Sequence, residues 1–287
     1  MRPTRTSAGI AVVVALAAAG GAAPGPVPPA PDDPAPGSPA PVIVELFTSQ
    51  GCSSCPPADE LLRGLARNQP VPGATVIPLS EHVDYWDRLG WRDPFSSPRF
   101  TARQKAYAAA LDAASIYTPQ VVVDGQAGLV GSRGVEVRAA ILEARDRPKV
   151  PVRVGVDSHP RSRVVEVTAE VGPDRLAAAA EAIGAWLAIT ESGLETDVRA
   201  GENRFRRLHH TGVVRHLERL DTLTAQAAAA GRSVRARLRL DAAWTRERLH
   251  AVVFLQERES LRIVGAARAA VAGPPAAKLP RNPAGAP

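Results

Sequence analysis

Cysteine is almost absent from this chain: there are two in 287 residues, Cys52 and Cys55. A closed zinc site takes four ligands, so this pair cannot build one by itself. Aromatic residues are also few, at 4%. No basic stripe is interleaved with stacking aromatics, so a formal net charge of +6 gives little support to nucleic-acid binding. No cysteine follows the apolar segment near the N-terminus, which leaves a lipoprotein anchor without its attachment residue. Proline, by contrast, is plentiful at 27 residues, while 45% hydrophobic and 22% charged residues describe a globular chain.

The first 41 residues are expected to lie outside the folded part. Arg2 and Arg5 precede an apolar run from Ile10 to Ala19, and Gly21-Ala22-Ala23 supplies small residues for cleavage. Residues 1–23 therefore read as a secretory signal, too short to span a bilayer comfortably. Its removal takes away Arg2 and Arg5 and leaves no stable membrane anchor, with export to the periplasm or the medium. Residues 24–41 are rich in Pro, Ala and Gly and read as an extended linker. The Pro- and Ala-rich residues 273–287 read as a disordered tail.

The chain is organised around Val42-Ile43-Val44-Glu45-Leu46-Phe47-Thr48-Ser49-Gln50-Gly51-Cys52-Ser53-Ser54-Cys55-Pro56-Pro57. Val42 to Phe47 is a buried strand by its β-branched and aromatic content. Gly51 permits a sharp turn, and a helix is expected from about Ser53 to Ala66 with Leu61, Leu62 and Leu65 on its apolar face. Cys52 then falls at the helix N-cap and Cys55 in the first turn, where free N–H groups and the dipole favour a thiolate. Pro57, deeper in, is expected to bend the helix. A strand running into Cys-x-x-Cys at a helix start is the local architecture of a thioredoxin-like redox site. Cys52 is the attacking sulfur of that reading and Cys55 the resolving one. Two others stay open: a structural disulfide, and a Cu(I) site using both thiolates with His82. Glu45 shares a strand face with Ile43 and Phe47, so it is either a buried acid that relays the Cys55 proton or an acid at a partly exposed strand end.

A second strand is expected over Thr75–Leu79. Next, Tyr85 to Tyr107 holds six of the twelve aromatics, which suggests an ordered wall or lid beside the Cys pair, or a structural plug with His82 and Asp84 hydrogen-bonded. Ser97-Pro98 starts a helix to about Ala113. Thr118-Pro119 precedes the apolar run Gln120 to Val123 and the turn Asp124-Gly125, and a last helix spans about Gly134 to Arg145 with Ser132 as its cap.

Three long motifs carry a family resemblance: Val44 to Asp59, His82 to Phe95, and Tyr117 to Gly125. They resemble the bacterial secreted thioredoxin-like family called domain of unknown function 1223. The resemblance implies a thioredoxin-like fold for residues 42–148 and an exported location, and it implies no settled reaction. From the wider thioredoxin superfamily it also implies a cis Pro119 opposite Cys52 and Cys55, with the Thr118 backbone free to align an extended substrate. A buried acid matching Glu45 belongs to the same comparison. Ser53-Ser54 between the cysteines matches neither strong oxidases nor thioredoxin, so the direction of electron flow stays open.

From Pro148 the pattern changes to period-two alternation, as in Val150, Val152, Val154 and Val156. Strands are expected near Val165–Val171, Ala185–Thr190, Ser233–Leu240, Leu249–Gln256 and Leu261–Ala267. Residues 149–272 thus read as a small all-β, sandwich-like domain after the α/β one. Arg204, Arg206, Arg207, His209, His210, Arg215 and His216 lie close in sequence there; they read as an acidic-ligand or metal site, with Asn203 and His209 foremost, or as solvated strand faces. The function expected is an exported thiol–disulfide oxidoreductase that needs no organic cofactor and exchanges electrons with a protein partner; a redox-inert binding module or a Cu(I) carrier are the alternatives.

Overall fold

The architecture follows from where the apolar strand faces find partners. It is seen in a computed structural model that describes residues 38–159, 161–172, 182–223 and 232–272. The expected signal segment, most of the linker, the tail, Pro160 and most of the Ala-rich stretch after Pro173 lie outside the described residues.

β1 (Ala40–Thr48) is buried almost throughout and leads through the Cys loop into α1 (Pro56–Asn68). β2 (Ala74–His82) returns parallel to β1, with Thr48 opposite His82 at their ends. α2 (Pro98–Ala110) starts at the expected cap, Ser97, whose side chain accepts from Arg99 N–H at 3.3 Å. β3 (Gln120–Val123) pairs antiparallel with β1 and with β4 (Ala127–Val130), and α3 (Gly134–Arg145) closes this half. Ser132 does not cap it, because the N-cap position falls on Arg133. In the β3–β4 turn Asp124 and Gly125 have φ of 46° and 71°, the pairing that tight hairpins demand. A Cβ on Gly125 would lie 1.9 Å from Leu261 O, so glycine is required there twice over.

The remaining strands are β5 (Val152–Ser158), β6 (Val164–Val171), β7 (Ile183–Glu191), β8 (Leu194–Asp197), β9 (Arg207–His210), β10 (Val213–Leu223), β11 (Arg232–Arg239), β12 (Leu249–Glu257) and β13 (Ile263–Ala270). They do not form a small separate sandwich behind an α/β domain. One eight-stranded mixed sheet runs β13-β12-β7-β10-β2-β1-β3-β4, so strands from both stretches share it. The expectation of an α/β thioredoxin-like domain followed by a small all-β domain is therefore corrected to a mostly β protein with three α-helices among its described residues. The physical reason lies in β7 and β12. Both are buried along nearly their whole length, as strands covered on both faces must be, and they sit inside the large sheet.

Alternation sorts the core into three layers. Val42, Val44 and Leu46 face α1 and α3 through Ala58, Leu62, Leu65, Val137 and Ile141. Ile43 and Phe47 face the opposite way, with Phe100 and Tyr107 of α2 and with Ala188, Val214, Val252 and Phe254. Ile183, Ala185, Leu187 and Ile189 of β7 pack with β12 residues against β6 of the three-stranded sheet β11-β6-β5. The short ladder β8-β9 stands apart, and the loop between its strands reaches back to the Cys segment.

Candidate functional site

Cys52 and Cys55 are joined in a disulfide. Cys55, not Cys52, is the N-cap residue of α1, and Pro56 and Pro57 occupy its first two positions. Both prolines sit where an N–H would have no partner within the helix, so neither removes a helical hydrogen bond. The same placement removes two of the free N–H groups expected to favour a thiolate. A nearer polar neighbour is the Ser54 hydroxyl, 3.3 Å from Cys52 Sγ.

Both cysteines are fully buried, at 0% exposure. The cover comes from the β8–β9 loop. Asn203, itself fully buried, donates through Nδ2 to Gln50 O at 2.9 Å and to Cys52 O at 2.8 Å. Ser53 N–H donates to Glu202 Oε2 at 3.0 Å. Gly201, at φ 72°, turns the chain over Trp91.

The Thr118–Pro119 bond is cis, as the resemblance implied. Pro119 and Ala58 approach each other around Gly131, where an added Cβ would lie 3.1 Å from one and 3.0 Å from the other. Trp86 spans the gap: its Nε1 donates to Thr118 Oγ1 at 2.8 Å, and its Cβ packs on Gly51. The aromatic stretch thus walls the loop that carries the cysteines. His82 pairs with Asp93 rather than Asp84, its Nδ1 lying 2.7 Å from Asp93 Oδ2. Asp84 instead accepts from the Thr101 hydroxyl.

Glu45 goes elsewhere. It is buried on the sheet face turned to α2, accepts from Arg103 Nε at 2.5 Å and from the Tyr107 hydroxyl, and shares Arg103 with Glu81. Burial first, then the nearby Glu45 charge, push the Glu81 pKa well above the usual carboxylate value. A further buried acid, Asp59, lies in the first turn of α1. It follows Cys55 by four residues, so the two side chains lie one helical turn apart on one face. Its N–H donates to Cys55 O at 3.1 Å, and its Oδ2 accepts from Thr48 Oγ1 at 3.3 Å. Burial pushes its pKa up to about 7, against the opposing pull of the His82 charge and the Thr48 hydrogen bond. Burial alone would lower the His82 pKa, but Asp93, by charge and hydrogen bond, and Asp59 outweigh it and raise the value. Asp93 moves the other way: burial is overcome by His82 and by the N–H groups of Gln50 and Phe95, and its pKa is lowered.

Gln50 ties this cluster to the cover. Its N–H donates to Asp93 Oδ2 at 2.8 Å, and its side chain meets Trp91, Thr196 and His210. Asp59, Asp93 and Gln50 were not singled out from sequence. Asp59 carried a signal, as an acid in the stripe of Ala58, Leu62 and Leu65. Of the two foremost residues in the basic stretch, Asn203 lands on the Cys loop, while His209 pairs with Glu195 on the exposed β8-β9 ladder. Among the described residues no three His, Cys, Asp or Glu side chains are grouped to hold a metal ion.

The fold and site define a mostly β protein with a buried Cys-x-x-Cys disulfide at a helix start, held under a loop from a distant strand pair. The chain belongs to the family described as Protein of unknown function (DUF1223), whose model matches residues 43–256. It is similar to the crystal structure of protein AGR_C_4864 from Agrobacterium tumefaciens, at 27% identity and a TM-score of 0.62, over 84% of this chain and 97% of that one. HBP35 of Porphyromonas gingivalis shares the fold at 13% identity and a TM-score of 0.59, over 87% of this chain and 81% of that one. No curated protein matches the chain significantly.

Proposed function

We propose that this chain is an exported thiol–disulfide oxidoreductase acting through Cys52 and Cys55. The observation that carries the reading is the Cys52–Cys55 disulfide at the start of α1, with the buried carboxyl of Asp59 one turn beyond Cys55. A substrate thiolate attacks Cys52 Sγ, the Cys52–Cys55 bond breaks, and Cys55 leaves as a thiolate that takes a proton from Asp59. A second substrate thiolate then attacks the substrate sulfur of the mixed disulfide and releases Cys52. The substrate dithiol loses two electrons and the cysteine pair gains them. In reverse, the Cys52 thiolate opens a substrate disulfide and Cys55, giving its proton to Asp59, resolves the intermediate. A partner protein returns the pair to its starting state. The Thr118 backbone beside cis Pro119 is the surface on which an extended substrate strand aligns. Access requires the loop carrying Asn203 to lift from Cys52 O.

A second reading, a structural disulfide in a binding module, is favoured by the full burial of both cysteines. The reduction potential separates the two. The mature protein is equilibrated in dithiothreitol and glutathione buffers, and its thiols are counted by alkylation and mass. A reversible couple above about −300 mV supports exchange chemistry, and a bond that resists reduction well below about −300 mV is structural and ends the oxidoreductase reading.

A further inference from the structure

β10 meets β2 at a single register, Val213 opposite Ser80, with Ser80 N–H donating to Gly212 O at 2.7 Å. Beside this junction lies a groove of about 390 Å³, within the size range of small-molecule sites. Arg63 and Arg67 of α1 line it together with His250 of β12 and Arg268 of β13, and Ala66 and Leu194 supply partly exposed apolar surface. Arg63 is held by Glu60, and Glu195, the acid of the lining, is engaged by His209 at 3.3 Å. Arg67 and Arg268 are exposed and have no carboxylate partner among the described residues. Two arginines without a carboxylate partner, Arg67 and Arg268, thus share the groove with one lining carboxylate, Glu195. The pKa of His250 is lowered, by burial and then by the Arg268 charge.

A second observation points to a ligand. Trp91 Nε1 donates to Gln50 Oε1 at 3.0 Å, which fixes Gln50 Nε2 as the donor toward His210 Nε2 at 3.1 Å. The ring proton of His210 is then on Nδ1. That atom is buried without a partner, in a residue 2% exposed that lines the same groove. A buried donor left unpaired is costly, and an acceptor oxygen would relieve that cost. Burial, with the His82 charge, pushes the His210 pKa down to about 3, so the ring stays a neutral donor.

We propose that this groove is a binding site for a small organic anion, its carboxylate or phosphate held between Arg67 and Arg268, its apolar body beside Ala66 and Leu194, and an acceptor atom offered to His210 Nδ1. The site is separate from the thiol chemistry. Calorimetric titration of the oxidised chain with phenyl phosphate, benzoate, inorganic phosphate and benzyl alcohol tests it. One or both aryl anions should saturate at one per chain and bind more tightly than inorganic phosphate and benzyl alcohol. Which of the two binds tighter identifies the anionic group. The R67Q/R268Q variant, altered only at exposed side chains and checked by circular dichroism, should weaken the better probe at least about tenfold, the loss of charge-assisted hydrogen bonds. Absence of saturable binding by either aryl anion, equal affinity for benzyl alcohol or for inorganic phosphate, or an unchanged affinity in R67Q/R268Q overturns the proposal. None of these results bears on the reduction potential of the cysteine pair.

Discussion

Asp59 holds a carboxyl in a place where its charged form is costly, and the cost has a sign that can be measured. Its pKa is about 7 in the folded chain against 3.8 for the free side chain. Between those values the folded state holds a proton that the unfolded state has lost, so this group's contribution to stability falls as pH rises through that window. Above pH 7 the penalty is on the order of 2–4 kcal/mol. Asp59→Asn keeps an acceptor for Thr48 and removes the charge. Chemical denaturation should therefore find the variant more stable than the parent at pH 8, with the gap closing toward pH 4; a gap independent of pH would mean that Asp59 titrates normally. The same variant should slow disulfide exchange at least about tenfold, since general acid–base catalysis contributes that much and more. Glu45→Gln is the comparison. Glu45 is spent on Arg103 and Tyr107, so its loss should lower stability while leaving the exchange rate between pH 6 and 8 unchanged. Both acids are buried in β1 or α1, and sequence alone distinguished them poorly. The strand period put Glu45 inside without saying what it met, and only the packing of α2 on the sheet reveals Arg103 and Tyr107 as its partners.

The β8–β9 loop is tied to the backbone of the loop that carries the cysteines. It covers Cys52 through one side chain, Asn203, whose Nδ2 serves two backbone carbonyls. Phe205 follows at φ 69° and 79% exposure, a left-handed backbone that a bulky side chain adopts only under constraint. The loop is thus pinned at Asn203 and strained two residues later. Asn203→Ala leaves both carbonyls short of a donor, at about 1–3 kcal/mol for buried groups. If release of the loop exposes the sulfurs, reduction by dithiothreitol should speed up by roughly ten- to a hundredfold, because the open population rises by that factor. An unchanged rate would show that the sulfurs are reached by another route. Local elements of this kind were only partly legible. Cys52, Cys55, Thr118 and Pro119 announce themselves in short motifs, and α3 fell at the residues its periodicity indicated. The loop did not, since Asn203, though foremost among the polar residues of its stretch, stands about 150 residues from the carbonyls it binds. β10 was missed for a different reason. Register shifts between Val214 and His216 and between Arg219 and Asp221 break its alternation, so the period-two signal that found β5 and β6 is absent.

At the scale of the whole molecule, the two halves of the sequence are held together by the middle of one sheet. Ile43, Phe47, Leu79 and Tyr107 are buried against Ala188, Val214, Val252 and Phe254. Polar ties follow the same seam: Gln256 Nε2 donates to Tyr107 Oη at 2.8 Å, and Ile263 N–H donates to Asp124 O at 2.9 Å. Sequence reading placed a boundary at Pro148 because the hydrophobic period changes there, and period is a local property. What it could not register is that β2 has its second neighbour in β10, more than 130 residues later. The seam leads to a definite expectation for a chain cut at residue 148. Fragment 38–148 would keep Phe100 and Tyr107 of α2 with Ile43 and Phe47 but would lose Ala188, Val214, Val252 and Phe254 from the same cluster. At about 1.5–3 kcal/mol for each large side chain that loses its cover, the loss is on the order of several kcal/mol, a large part of the stability of a typical domain. The fragment should accordingly lack a cooperative thermal transition and should bind a hydrophobic dye, whereas the chain from residue 38 to 272 should unfold in one transition followed identically by fluorescence and circular dichroism. A fragment that melts sharply on its own would mean that the sheet is two independent units in contact, and the loop over Cys52 would then be a docking contact between them.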